Sequence, residues 1–138
     1  MESITTILLP LLAGVVSSYL TYYFTSKSKR DEAIIKYKEE KYSQLLLKLQ
    51  GFVGITAKGK TKREFFEEQY QSWLYCSDEV VVAMNHLTNL IIDNKGKEPD
   101  QEEGRRAIGN VVLAMRKDLL GKTRLDYKAF RYTDVLSD

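Results

Sequence analysis

Few residues in this chain have the type and spacing for bond-making chemistry. Cys76 and His86 are the single cysteine and single histidine. One histidine excludes a multi-histidine metal cluster and any helix motif that needs two. A Cys–His nucleophile–base pair would need both side chains out of the core, and each lies within or beside a segment dense in apolar residues. They read as a structural cysteine and an ordinary histidine. Gly54-Ile55-Thr56-Ala57-Lys58-Gly59-Lys60-Thr61 satisfies the letters of a phosphate-cradling loop, G-x-x-x-x-G-K-T. That loop works only between a buried strand and a helix, where backbone N–H groups meet the phosphate. Here an amphipathic helical pattern precedes it, no parallel-strand run exists to make the sheet, and no apolar run ending in Asp looks like a Walker B strand. It reads as a basic loop. A small helical ribonuclease of the HEPN type places Arg about five residues before His, but Val81 and Val82 precede His86. Arg105-Arg106 and Arg116-Lys117 read as the solvated face of a helix. The expectation is a non-enzymatic chain with no cofactor and no metal.

The elements behind these residues are more informative. The chain has 138 residues and a formal charge of +2, about one domain and too balanced in charge for nucleic acid to be the expected partner. The single cysteine gives no internal disulfide and no reason to expect an oxidising compartment. The charges are unevenly placed. Ser3 to Ser26 carries none, and every basic residue and every acid except Glu2 follows it. Ile4 to Phe24 is mostly apolar and spans about 32 Å as a helix, close to the hydrocarbon thickness of a bilayer.

A cleaved signal would open with basic residues and carry a shorter apolar run. This chain opens Met1-Glu2-Ser3, and its run ends in Tyr22-Tyr23-Phe24, an aromatic cluster suited to the headgroup interface. Residues 1–26 are therefore expected to be a retained transmembrane anchor. Lys27, Lys29 and Arg30 follow it directly, with Lys36, Lys38 and Lys41 close behind. The positive-inside rule then places residues 27–138 in the cytoplasm, with the anchor in the cell's inner membrane and Lys27, Lys29 and Arg30 at the inner leaflet.

At ~100° per residue, Thr6, Pro10, Gly14, Ser17 and Thr21 fall near one line of that helix, with Gly14-x-x-x-Ser18 a small-xxx-small pair. Leu8, Leu11, Leu12, Val15, Val16 and Tyr19 occupy the other side. Small and hydroxyl residues let helices approach and hydrogen-bond across an interface, so this line is the expected seam of a homo-oligomer. A water-contacting pore face would give the same pattern.

Beyond the anchor the helical period continues through Ile34, Ile35, Tyr42, Leu45, Leu46, Leu49, Phe52 and Val53, predicting a long helix from about Ser26 to Gln50 that Gly51 and Gly54 end. Thr61 to Tyr75 predicts a second helix with Phe66, Tyr70, Trp73 and Leu74 on its apolar face. Ser77 reads as an N-cap ahead of Asp78 and Glu79, opening a helix that repeats Val80, Met84, Leu87 and Ile91 and stops at Asn94 to Gly96. Pro99 suits the start of a last helix with the face Ile108, Val111, Val112, Met115 and Leu119, and Gly121 suits its end. Lys122 to Asp138 reads as irregular. The expected core is Trp73, Val80, Met84, Leu87, Ile108, Val112, Met115 and Leu119. No segment has a period of two. The fold class is thus all-α, a transmembrane helix continuing into a cytoplasmic domain of three to four helices.

The stretch Trp73-Leu74-Tyr75-Cys76-Ser77-Asp78-Glu79-Val80, with Met115-Arg116-Lys117-Asp118-Leu119 and Thr123-Arg124-Leu125, resembles a group of small uncharacterised bacterial single-pass membrane proteins with a helical cytoplasmic domain. The likeness covers the C-terminal half and its motifs are structural. The overall plan is similar to small membrane-anchored accessory proteins of bacterial anti-phage systems, some of which assemble into membrane pores. Two functions follow as expectations. One is a membrane-perturbing or pore-forming effector that self-associates through its anchor. The other is a membrane-tethered helical module that binds a cytoplasmic protein partner.

Overall fold

The computed structural model describes residues 2–49, 59–94 and 100–131. Among them every element is helical: α1 (Glu2–Leu49), α2 (Gly59–Ser72), α3 (Asp78–Asp93), α4 (Gln101–Leu120) and a 3-10 turn, Tyr127–Ala129. The expected anchor and the expected juxtamembrane helix are one element, α1, with Pro10 inside it. The expected stops at Gly51, Gly54 and Gly96, the expected helix start at Pro99, the apolar residues Phe52 and Val53, and the first half of the G-x-x-x-x-G-K-T match lie outside the described residues.

The chain divides into two compact units, one up to Tyr37 and one from Lys38 onward. The change in composition at residues 26/27 and the change in packing are therefore separate boundaries. In the first unit the described side chains are exposed.

The second unit is built around apolar side chains from all four helices. Tyr42, Leu45 and Leu49 come from α1, Phe65 from α2, Val80, Met84, Leu87 and Leu90 from α3, and Ala107, Ile108, Val111 and Met115 from α4. Each large apolar side chain buried this way contributes roughly 1.5–3 kcal/mol. The expected core positions Val80, Met84, Leu87, Ile108 and Met115 are buried, and Val112 and Leu119 pack partly against them. Trp73 corrects that expectation, being 60% exposed.

The α2 face is corrected as a whole. Its buried residues are Phe65, Glu68, Gln69 and Ser72. Tyr70, Trp73 and Leu74 are exposed, and Phe66 is only partly covered. The helix also ends at Ser72, and a hydrogen-bonded turn carries the chain through Trp73 to Cys76. An apolar stripe drawn along α2 misses this because three of the four inward positions are polar and find partners inside.

The helix ends follow local chemistry. The Ser77 hydroxyl accepts from the Val80 N–H, with Asp78 and Glu79 in the first turn of α3, as an N-cap should. Asn94 closes α3, its side-chain amide donating to the Leu90 carbonyl at 2.7 Å. Gly121 closes α4 at φ +80°, a conformation that costs glycine nothing. Beyond it the tail turns back along α4. Arg105 donates to the Lys128 carbonyl at 3.0 Å, the Tyr127 hydroxyl donates to Glu102 at 2.9 Å, and Arg106 lies 5.4 Å from the centre of the Tyr127 ring. A Cβ on Gly109 would come within 2.8 Å of the Tyr127 Cβ. Glycine there lets the tail seat on α4.

Candidate functional site

Two parts of the molecule have features beyond ordinary packing, and α1 carries residues of both. The first is the apolar part of α1. It contains a window of mean hydropathy 1.6, none of it buried, long and apolar enough to cross a membrane. Leu8, Leu11, Leu12, Val15, Val16 and Tyr19 are each more than half exposed. That much apolar surface is costly in water. Thr6, Pro10, Gly14, Ser17 and Thr21 all lie on this helix and are exposed, as are Lys27, Lys29 and Arg30 beyond them. Ser17 and Thr21 line a shallow groove with Ala13, Val16 and Leu20. A Cβ on Gly14 would meet nothing within 4 Å, so the space beside it is open to another helix.

The second part is a polar clamp within the unit that starts at Lys38. The Lys38 ammonium lies 2.9 Å from Asp118, and the Tyr42 hydroxyl donates to the same carboxylate. Lys41 and Lys48 approach the two oxygens of Glu68, each at 3.1 Å. These lysines interleave with Tyr42, Leu45 and Leu49 at steps of three and four, so one face of α1 is both apolar and cationic. Asp118 of α4 and Glu68 of α2 meet that face, and each carboxylate side chain is about nine-tenths buried. Behind Glu68, Thr88 donates to the Gln69 side-chain carbonyl at 3.0 Å. The Ser72 hydroxyl donates to the Gln69 backbone carbonyl at 2.6 Å.

Cys76 sits at the edge of this clamp, half-buried, within hydrogen-bonding reach of the Tyr42 and Ser72 hydroxyls. Burial pushes its thiol up, against the pull of those two hydroxyls. A protonated thiol is a poor nucleophile. Burial, then the hydrogen bonds to Asp118 and Cys76, push the Tyr42 phenol well above its ordinary range. Burial raises Glu68 too, but the hydrogen bonds from Lys48 and Lys41 outweigh it and hold the carboxyl below its usual value. The arrangement is suited to holding α1 against α2 and α4, with its charges paired. His86 is exposed, and the Cys76 thiol has Tyr42 and Ser72 as its polar neighbours.

The clamp is not legible in the sequence, where Lys38 and Lys41 read as charges that follow the apolar stretch. The available signal was their position on the apolar stripe of a helix, three or four residues from Tyr42 and Leu45. A lysine on an inward stripe needs an acid opposite it, and only the fold determines which. The Gly59-Lys60-Thr61 half of the loop motif forms the first turn of α2, where Lys60 faces Glu64 at 3.9 Å. Arg116 is exposed, and Lys117 bridges to Glu79 at 2.8 Å. No family model, curated protein or solved structure matches the chain.

Proposed function

We propose that this chain is a single-pass membrane protein that self-associates through the apolar part of α1 and gathers its helical units into a cluster at the cytoplasmic face. It belongs on this reading with membrane-associated effectors or accessory proteins rather than with enzymes. The observation that carries it is the open, small-residue line Thr6, Pro10, Gly14, Ser17, Thr21 on an uncovered apolar helix. Lipid tails solvate Leu and Val as well as a neighbouring helix does, so close backbone approach and hydrogen bonds must supply the drive to associate. That line provides for both. Because α1 continues into the clamp, each span brings a packed helical unit with it.

The test is the oligomer distribution of the full chain in detergent and in membranes, read by light scattering. Gly14→Leu should shift it to smaller species, while Val15→Leu, exposed on the other side of the helix and outside that groove, should leave it unchanged. A Cβ at Gly14 meets nothing within 4 Å, and the residue lies outside the unit that carries the buried core, so loss of folding is not the expected cause of a shift. Equal distributions for both variants and the parent would remove the seam. Ion leakage on expression, reduced by Gly14→Leu, identifies the cluster as a membrane-perturbing effector; a cluster without leakage is a tethered binding module.

A further inference from the structure

The contacts of Asp118 with Lys38 and Tyr42, of Lys117 with Glu79, and of the Tyr42 ring with the Tyr75 ring at 6.1 Å bring the end of α4, the start of α3 and the turn after α2 together. They meet at the end of the second unit where α1 enters it. That end is unusually bare of cover for its apolar side chains. Leu74 is 89% exposed, Tyr70 80%, Trp73 60% and Leu120 60%. Arg116 and Arg124 are exposed beside the end of α4. Asp78 is exposed there too, while Glu79 is engaged by Lys117.

We propose that this end of the helical unit is a lipid-docking surface, with Trp73 and Leu74 entering the headgroup layer and Arg116 and Arg124 facing anionic phospholipids. The inference rests on the reading of α1 as a membrane span. Two observations favour lipid as the occupant. The composition is that of an interface, where Trp and Tyr settle at headgroup depth and Arg meets phosphate. The turn that carries Trp73 and Leu74 pairs three of its N–H groups within the chain, the Leu74 N–H on the Gln71 carbonyl and the Tyr75 and Cys76 N–H groups on the Ser72 carbonyl, which lowers the cost of moving it out of bulk water.

Trp73 is the only tryptophan in the chain, so its fluorescence reports on this surface directly. The full chain is reconstituted in vesicles of phosphatidylcholine, with and without phosphatidylglycerol, using lipids brominated near the headgroup as quenchers. The proposal expects blue-shifted emission and a roughly twofold or greater loss of intensity with brominated lipid, larger when phosphatidylglycerol is present. Arg116→Glu combined with Arg124→Glu should remove the difference between the two compositions. Leu74→Glu should weaken quenching while leaving helical circular dichroism unchanged, since that side chain is almost wholly exposed.

Emission as red as that of free tryptophan in water, unquenched in both compositions, overturns the proposal. Blue-shifted but unquenched emission that varies with the protein-to-lipid ratio overturns it in favour of a second copy of the chain covering the patch. Equal quenching in the two compositions overturns the role given to the arginines. Flotation of the same vesicles separates the two levels of the argument. Protein that fails to float refutes the span itself, whereas protein that floats with Trp73 unquenched refutes only the docking.

Discussion

Along α1 one regular helix carries two opposite relations between side chain and surroundings. Up to Tyr37 its described apolar side chains face outward, and from Tyr42 on one face, Tyr42, Leu45 and Leu49, is buried with lysines beside it, while Leu47 stays exposed. The backbone hydrogen bonds of a helix do not depend on which regime applies. What differs is the surface that must be covered. In the first region none of the described residues covers it. In the second, α2, α3 and α4 bring both apolar partners and carboxylates.

Core cavities are the largest expected effects, and one of them separates these regions. Leu45→Ala should lower the stability of the second unit by about 2–5 kcal/mol, because it leaves a cavity at a fully buried site. Leu12→Ala should leave that stability unchanged. Denaturant unfolding of the full chain in detergent, followed by hydrogen exchange in α3 and α4, measures both. Equal losses would mean that the two parts of α1 belong to one cooperative unit.

A smaller effect is expected from the clamp. Asp118→Ala leaves Lys38 and the Tyr42 hydroxyl without their shared acceptor, and should cost about 1–3 kcal/mol. Asp118→Asn, which keeps an acceptor but loses the charge, should cost less. If both variants unfold like the parent, the clamp is ornamental and the apolar residues alone hold α1 in the second unit.

The pH dependence sharpens the same point. Glu68 is held below its ordinary value in the folded state. Its contribution to stability is therefore complete above the unfolded-state value of about 4.3 and is lost as pH falls through the folded value. Tyr42 is shifted upward, so its contribution is complete below about 10 and declines as pH rises beyond that. Glu68→Gln should flatten the acid side of a stability–pH curve without altering the alkaline side. Tyr42→Phe should do the reverse.

The smallest expected effect lies on α2 and the turn that follows it. Trp73→Ala should change stability by less than about 0.5 kcal/mol, as exposed substitutions usually do, despite being the largest truncation available. Phe65→Ala, at a fully buried site of the same segment, should cost about 3–5 kcal/mol. A costly Trp73→Ala would mean that this side chain packs inward after all.

Local chemistry made a good part of this molecule legible. The uncharged apolar stretch, the Ser77 cap with its two acids, and the glycine at 121 each depend on a residue and its immediate neighbours. So do the inward stripes of α3 and α4, where apolar residues recur at helical spacing and nothing competes for the interior. The α2 face was not legible, because an apolar stripe assumes that burial follows hydrophobicity. Glu68, Gln69 and Ser72 go inside since Lys41, Lys48 and Thr88 meet the first two, and the Gln69 carbonyl accepts from Ser72. Those partners lie on other turns and other helices, so no window of neighbouring residues contains them.

By itself, then, the sequence determined that the chain is helical, where its helices are capped and where its apolar surface is concentrated. The tertiary structure decided which lysines remain exposed and which are paired, and that Trp73 and Leu74 face outward. The reason is physical. Helix formation and apolar segregation are set within a few turns, whereas a buried charge depends on an opposite charge that only the fold can bring to it.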